Sequence, residues 1–224
     1  MKKKIIIIIT ILVIILLGIL GYIYIHNQLN TDAIKFKKEY ESLNSTNTAI
    51  NISKDNPFIY KEASDIIDMI NNKETFIVYF GYNSDELTRS ILPVLIKAAS
   101  DLKIDQIYYV DIKDIRNEIT INEDNTYETT KTGTDSYNKL LEILNDYLSD
   151  YELTNSKGKI IKVGKRIYTP SVISVVDGIP KGLTTGATDN KTDIEITDEI
   201  ITNAYKEFIK VLSLINITTC DSAC

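Results

Sequence analysis

The chain contains a long apolar run near its start, in which residues 5–25 carry no charge and are mostly Ile, Leu and Val. As an α-helix rising about 1.5 Å per residue, this run is roughly 31 Å long, which matches the ~30 Å hydrocarbon core of a bilayer. Lys2, Lys3 and Lys4 precede it and favour the cytoplasmic side, while Tyr22 and Tyr24 suit the opposite headgroup region. The sequence therefore predicts a cytoplasmic stub over residues 1–4, a transmembrane helix over residues 5–25, and an extracytoplasmic remainder at the cell membrane.

A cleaved signal peptide is the alternative explanation of this run. The apolar region of a signal peptide usually spans about 7–15 residues and ends in a small-x-small cleavage site. The run here is longer, and no Ala-x-Ala-like triplet follows it. We therefore expect an uncleaved, single-pass anchor.

The remaining chain has an ordinary globular composition, and its length suits one domain. The net charge of −6 argues against nucleic acid or an anionic lipid surface as the main partner. His26 is the only histidine, with no Cys or His nearby, so we expect no metal site. The glycines at 178, 182 and 186 are too widely spaced for a dinucleotide fingerprint, and we expect no cofactor. The basic stretch of Lys157, Lys159, Lys162, Lys165 and Arg166 is more typical of a solvated edge strand than of the alternative, a binding patch.

Polarity divides this remainder into three parts. Residues 26–56 are rich in Asn, Ser, Thr and Lys and predict a polar tether between membrane and domain, although Ala33, Ile34, Phe36 and Tyr40 could form one face of a short helix. Residues 57–215 predict the folded domain. Residues 216–224 form a tail that holds both cysteines, Cys220 and Cys224.

Apolar residues at helical and strand spacing alternate along residues 57–215. Runs that are apolar on both faces predict buried strands at 75–80 and 106–111, and a third strand is predicted at 172–176. Asp177-Gly178 is a strong hairpin-turn signal. Residues 112–133 are polar and predict a loop. Together with helices predicted at about 60–72, 87–102, 137–148 and 201–215, this order predicts an α/β sandwich with a mixed sheet flanked by helices.

This order of elements resembles the thioredoxin-like fold, and four local features carry the resemblance. They are a strand at 76–81 leading into a helix, Pro93 within that helix, Tyr168-Thr-Pro-Ser-Val172 where the family carries its cis-proline, and the Asp177-Gly178 hairpin followed by Gly186 and a final helix. A narrower resemblance is to the bacteriocin transport accessory type of thioredoxin-like protein. It is carried by residues 79–82 and 108–112, with Arg116 downstream. That type is membrane-anchored and typical of Gram-positive bacteria.

The chain departs from this family at the redox motif. Where the family has Cys-x-x-Cys-Arg, this sequence has Asp85-Glu-Leu-Thr88-Arg89. A thioredoxin needs a thiolate at the helix N-terminus to attack a disulfide and a second thiol to resolve the intermediate. Asp85 and Thr88 carry no thiol, so dithiol exchange is excluded at these positions and no catalytic residue is assigned.

Two interpretations of this degenerate site stay open. Asn83, Ser84 and Asp85 are good helix caps, so the stretch can be merely a well-capped helix start. Alternatively, the resemblance implies a peptide-binding groove formed by Thr169, Pro170, Asp85 and Thr88. In the family, the backbone of the residue before the cis-proline pairs with an extended peptide, a contact that needs no cysteine.

Cys220 and Cys224 allow three interpretations. Outside the cytoplasm they are expected to form a static disulfide. They could instead be a displaced redox pair, although the adjacent Asp221 disfavours a thiolate. The third interpretation is a disulfide to another chain.

Three functional hypotheses follow. The first is a membrane-anchored accessory module without dithiol chemistry that binds exported polypeptides or an envelope complex. The second is a thiol-disulfide oxidoreductase using Cys220 and Cys224. The third is a purely structural envelope protein.

Overall fold

The computed structural model describes residues 2–186 and 195–215; in the first helix, side chains are described for residues 9–25 and 31–41. The elements in chain order are α1 (Lys2–Glu41), β1 (Phe58–Tyr60), α2 (Ala63–Asn71), β2 (Phe76–Gly81), α3 (Glu86–Asp101), β3 (Ile107–Asp111), β4 (Glu118–Ile121), β5 (Tyr127–Lys131), α4 (Asp135–Ile143), β6 (Asp150–Thr154), β7 (Ile160–Lys165), β8 (Ser171–Val176), β9 (Ile179–Thr184) and α5 (Asp198–Leu212).

The main sheet has five strands in the order β1-β3-β2-β8-β9. Strands β1, β3 and β2 run parallel, and β8 and β9 are antiparallel to their neighbours. The predicted α/β class, with a mixed sheet flanked by helices, is confirmed.

Each face of this sheet carries its own hydrophobic core. Strand β2 is buried along its whole length, with Ile77 and Tyr79 facing one core and Val78 and Phe80 facing the other. The first core includes residues of α1, α3 and α5, and the second includes residues of α2 and α4. Because both faces are covered, β2 had to be apolar throughout, which is the pattern from which it was predicted.

The predicted hairpin turn at Asp177-Gly178 is confirmed. Both residues have positive φ, 52° and 75°, and they join β8 directly to β9. A Cβ at position 178 would lie 2.2 Å from the carbonyl oxygen of Ile70, so this turn requires glycine on grounds of space as well as conformation.

The predicted tether over residues 26–56 is wrong from Ala33 onward. Helix α1 continues to Glu41, and the Phe36 ring stacks between Tyr40 and Phe58 at centroid distances of 4.4 and 4.1 Å. The side chains of Ile50 and Ile52 are also buried in the first core. The folded unit therefore starts before Pro57, because this segment covers apolar surface on the β1–β3 edge of the sheet.

The earlier part of α1 presents an apolar surface that the rest of the described chain does not cover. Its large apolar side chains from Ile9 to Ile25 are between 47% and 72% exposed. Over the residues whose side chains are described, no helix is long and apolar enough to cross a membrane.

The predicted loop over residues 112–133 is also wrong in part. Strands β4 and β5 form a separate two-stranded sheet there. A second such sheet, formed by β6 and β7, contains most of the predicted edge strand. Both hairpins are largely exposed, and the alternation of polar and apolar residues in β4 and β6 includes only two apolar residues in each strand, which is a short signal within polar sequence.

Candidate functional site

The degenerate redox motif lies where β2 leads into α3. Asp85 is the N-cap of α3, and one of its carboxylate oxygens accepts a hydrogen bond from the Thr88 backbone N–H at 2.9 Å. The sequence-based prediction of a capped helix start is therefore confirmed. Asp85 is half-buried, whereas Thr88 is fully buried and its Oγ1 has no hydrogen-bond partner among the described residues.

Two of the four predicted groove residues line a common cavity of about 870 Å³, a size within the range of ligand sites. Asp85 and Thr169 lie on its wall, whereas Thr88 and Pro170 are buried and do not. The last pair of the β2–β8 ladder is Phe80 with Ser171, and Tyr82 and Thr169, which lie just beyond that pair, both line the cavity. The β6–β7 hairpin supplies much of the remaining wall.

Thr169 brings unpaired backbone groups to this cavity. The Thr169-Pro170 peptide bond is cis, and Thr169 precedes the first paired residue of β8. No hydrogen bond to the N–H or the C=O of Thr169 occurs within the part of the chain that the structure describes. Thr169 is partly exposed, so both groups are accessible and can pair with an extended ligand in place of water.

Aromatic and cationic side chains surround Thr169. The guanidinium carbon of Arg116 lies 4.9 Å from the Tyr82 ring centroid, and that of Arg166 lies 4.3 Å from the Tyr151 centroid. The Tyr168 hydroxyl donates a hydrogen bond to the Asp150 carbonyl at 3.0 Å, which ties Thr169's neighbour to the β6–β7 hairpin.

These additional residues were not predicted as site residues. Arg116 entered only through the resemblance, and Arg166 only as part of a basic stretch. A local signal existed for two of them, because Arg166 and Tyr168 come shortly before Thr169 in the sequence. Tyr151 carries no such signal.

A different face of the α3 start is covered by the segment between α1 and β1. The Glu86 carboxylate accepts hydrogen bonds from the Thr48 backbone N–H at 3.0 Å, from the Thr48 hydroxyl at 2.6 Å and from the Asn47 side chain. These bonds, the Thr48 hydroxyl first, lower the pKa of Glu86. The buried Arg89 binds the same segment through its contact with the Thr48 carbonyl oxygen. This face is therefore occupied by the chain itself, while the Asp85 face opens to the cavity.

The two cysteines and the predicted tail lie outside the described residues. Among the residues that are described, no group of three or more His, Cys, Asp or Glu side chains is placed to hold a metal ion.

Comparison with known proteins does not identify a family. A scan against protein-family models gave no match, and a search of curated proteins gave none either.

Proposed function

We propose that this protein is a thioredoxin-like accessory module without dithiol chemistry, which binds an extended segment of an exported polypeptide or envelope protein in the cavity beside Thr169. The observation that carries the proposal is that the backbone N–H and C=O of Thr169, in the wall of that cavity, have no hydrogen-bond partner among the described residues. An extended peptide satisfies such groups by strand-like pairing, and this requires no cysteine.

The thioredoxin-like assignment is part of the proposal. It is supported by the mixed sheet, by the β2-to-α3 connection that carries Asp85 and Thr88, and by the position of Pro170 just ahead of β8. At a thioredoxin-like site of this kind, Asp85 caps the helix and supplies no nucleophile for a disulfide.

We also propose that residues 5–25 anchor the module in the cell membrane, with the folded part outside the cytoplasm. The proposal rests on the 21 consecutive uncharged residues, on Lys2, Lys3 and Lys4, and on the exposed apolar side chains of α1. A helix with apolar residues on all sides is stable in lipid, because its backbone groups are satisfied internally.

The peptide proposal is tested by site-specific photo-cross-linking. A photoreactive amino acid is placed at Thr169 in one variant of the full chain and at the exposed Lys103, outside this cavity, in a control variant. Each purified protein is irradiated with a denatured, thiol-blocked model polypeptide. We expect cross-linking at position 169 and none above background at position 103. Equal cross-linking at both positions, or none at either, contradicts the proposal and favours the structural hypothesis.

The absence of dithiol chemistry needs its own assay. Full-length protein is expected to give no turnover in reduction of a model disulfide. Turnover that disappears in Cys220→Ser or Cys224→Ser variants would instead support the oxidoreductase hypothesis.

A further inference from the structure

Arg116 and Arg166 lie between two adjoining cavities. Both line the cavity beside Thr169, and both line a smaller one of about 380 Å³ that is bordered by β4 and β5. Tyr151 lies on both walls as well. Both arginines therefore border the same two cavities, although 50 positions of sequence separate them.

Neither guanidinium is paired with a carboxylate among the described residues, where no carboxylate oxygen lies within 4.0 Å of either group. Arg116 donates one hydrogen bond, from Nη2 to the Tyr82 hydroxyl at 3.2 Å, and Arg166 donates none within the same described part. Each guanidinium has five N–H donors, so most of these donors are available to a ligand.

The carboxylates that line the two cavities are bound elsewhere or lie apart from the arginines. Asp150 pairs with Lys162 at 2.6 Å and with Lys165 at 3.0 Å, and Glu118 pairs with Lys131 at 3.3 Å. Glu152 lies 3.9 Å from Lys162, Asp85 caps α3, and Asp114 has no ion pair to either arginine. These acids therefore do not neutralise Arg116 or Arg166 directly.

The tyrosines hold both guanidinium groups by their faces. Tyr82 lies beneath Arg116 and Tyr151 beneath Arg166, and apart from the Arg116 Nη2 bond to the Tyr82 hydroxyl, the N–H donors of both cations have no partner among the described residues. A planar fork of donors in this arrangement matches the two oxygens of a carboxylate.

We propose that Arg116 and Arg166 together bind a carboxylate group of the peptide. This inference rests on the peptide-binding function proposed for the Thr169 cavity and gives the ligand its chemical class: an extended peptide with a carboxylate near the residue that pairs with Thr169. The carboxylate comes from the peptide's C-terminus or from an Asp or Glu side chain, and the test distinguishes these sources.

The chain offers an internal control because it has three arginines, and the third, Arg89, is buried against carbonyl oxygens. Full-length protein in non-ionic detergent is labelled with ¹⁵N at arginine and threonine. The arginine Nε–H signals are assigned with Arg116→Lys and Arg166→Lys variants. Three acetylated nonapeptide pools, randomised among uncharged residues, are titrated: a free acid, its C-terminal amide, and an amide with a central Glu.

We expect at least one carboxylate-bearing pool to shift the Arg116 and Arg166 signals while the Arg89 signal stays in place. The responding pool identifies a terminal or a side-chain carboxylate as the source. Arg116→Gln and Arg166→Gln should each weaken binding of the responding peptide pool at least ~10-fold, because each variant loses one charged bidentate contact.

The Thr169 amide signal separates the two proposals. If it shifts equally with acid and amide pools while both arginine signals stay fixed, the carboxylate site is wrong and the peptide site stands. If no pool shifts any of these signals, both are wrong. If inorganic phosphate moves the arginine signals and the carboxylate pools do not, the carboxylate assignment is overturned.

Discussion

Arg89 differs from the other two arginines in being only 1% exposed. Its guanidinium has no carboxylate partner among the described residues and instead donates hydrogen bonds to the carbonyl oxygens of Tyr40, Thr48 and Asn83 and to the Asn44 side chain, at 2.7–2.9 Å. A buried cation is costly unless hydrogen-bonded, and here the fork of donors joins α1, the segment after it and the loop before α3. At the residue scale, Arg89 therefore holds the degenerate motif to the N-terminal segment.

Substituting Arg89→Met should destabilise the protein by about 3 kcal/mol, because the apolar volume is roughly kept while several buried carbonyl groups lose their donors. The measurement is the free energy of unfolding in urea. Arg166→Met, at a partly exposed position that loses only its contact with the Tyr151 ring, is the matched control and should change it by about 1 kcal/mol or less. Similar effects of the two substitutions would contradict this role for Arg89.

At the element scale, the C-terminal part of α1 and the segment up to β1 belong to the folded unit. Phe36, Tyr40 and Ile52 are at most 1% exposed and fill the core on the β1–β3 side of the sheet. Burying one such large side chain contributes about 1.5–3 kcal/mol, so three of them approach the total stability of a typical domain.

A chain shortened to residues 57–215 should therefore not unfold cooperatively, whereas one that spans residues 31–215 should. The two proteins share every residue of the originally predicted domain and differ only in residues 31–56. Thermal unfolding followed by near-ultraviolet circular dichroism distinguishes them. A cooperative transition in the shorter protein at the same temperature would show that residues 31–56 are dispensable.

The contact between Glu86 and Thr48 should depend on pH. The pKa of Glu86 is lowered from the ordinary value of 4.5, chiefly by the Thr48 hydroxyl and then by the Thr48 amide. A lowered folded-state pKa means that the contact stabilises the fold above pH 4.5 and is lost as the pH falls through the lower, folded-state value. The Thr48 amide resonance should therefore titrate with a midpoint below 4.5.

The Glu86→Gln variant should abolish that titration. The Ile52 amide is the control in the same spectrum, because it donates to Glu41, whose pKa is lowered mainly by Lys37. Its titration should persist in the variant. A Thr48 response that survives Glu86→Gln would assign the pH dependence to another group.

At the scale of the whole molecule, two surfaces have different proposed partners. The apolar surface of α1 suits lipid, and the cavity beside Thr169 suits a peptide. Because α1 is continuous from Lys2 to Glu41 and its end is packed into the core, an anchor in this helix joins the folded unit through helix rather than through a flexible tether.

The full chain, expressed in bacteria, should remain in the membrane pellet after alkaline carbonate extraction, whereas a chain starting at Thr31 should be soluble. The physical reason is that removing residues 2–30 removes the apolar run while keeping the core side chains. After reduction, a membrane-impermeant maleimide should label Cys220 and Cys224 in intact cells. Labelling only after lysis would place the folded part in the cytoplasm.

The sequence by itself determined the elements whose burial or turn conformation is indicated by their own residues. Strand β2 was predicted because its residues are apolar on both faces, and the β8–β9 turn because Asp-Gly tolerates positive φ. The start of α3 was predicted because Asn83, Ser84 and Asp85 are all good caps, and the structure uses Asp85. Strands β4 to β7 were not predicted as two hairpins because most of their residues are exposed and the alternating apolar residues in β4 and β6 number only two in each strand.

Only the tertiary structure decided which residues form the site. The four predicted groove residues form two pairs that are distant from each other in the sequence. The β2–β8 pairing brings one residue of each pair, Asp85 and Thr169, to the same cavity, whereas Thr88 and Pro170 are buried away from it. Arg116 precedes β4 and Arg166 follows β7, and both line the same two cavities where β4 packs near β6. Local periodicity reports how each segment is buried, whereas a site assembled from distant segments depends on how those segments pack together.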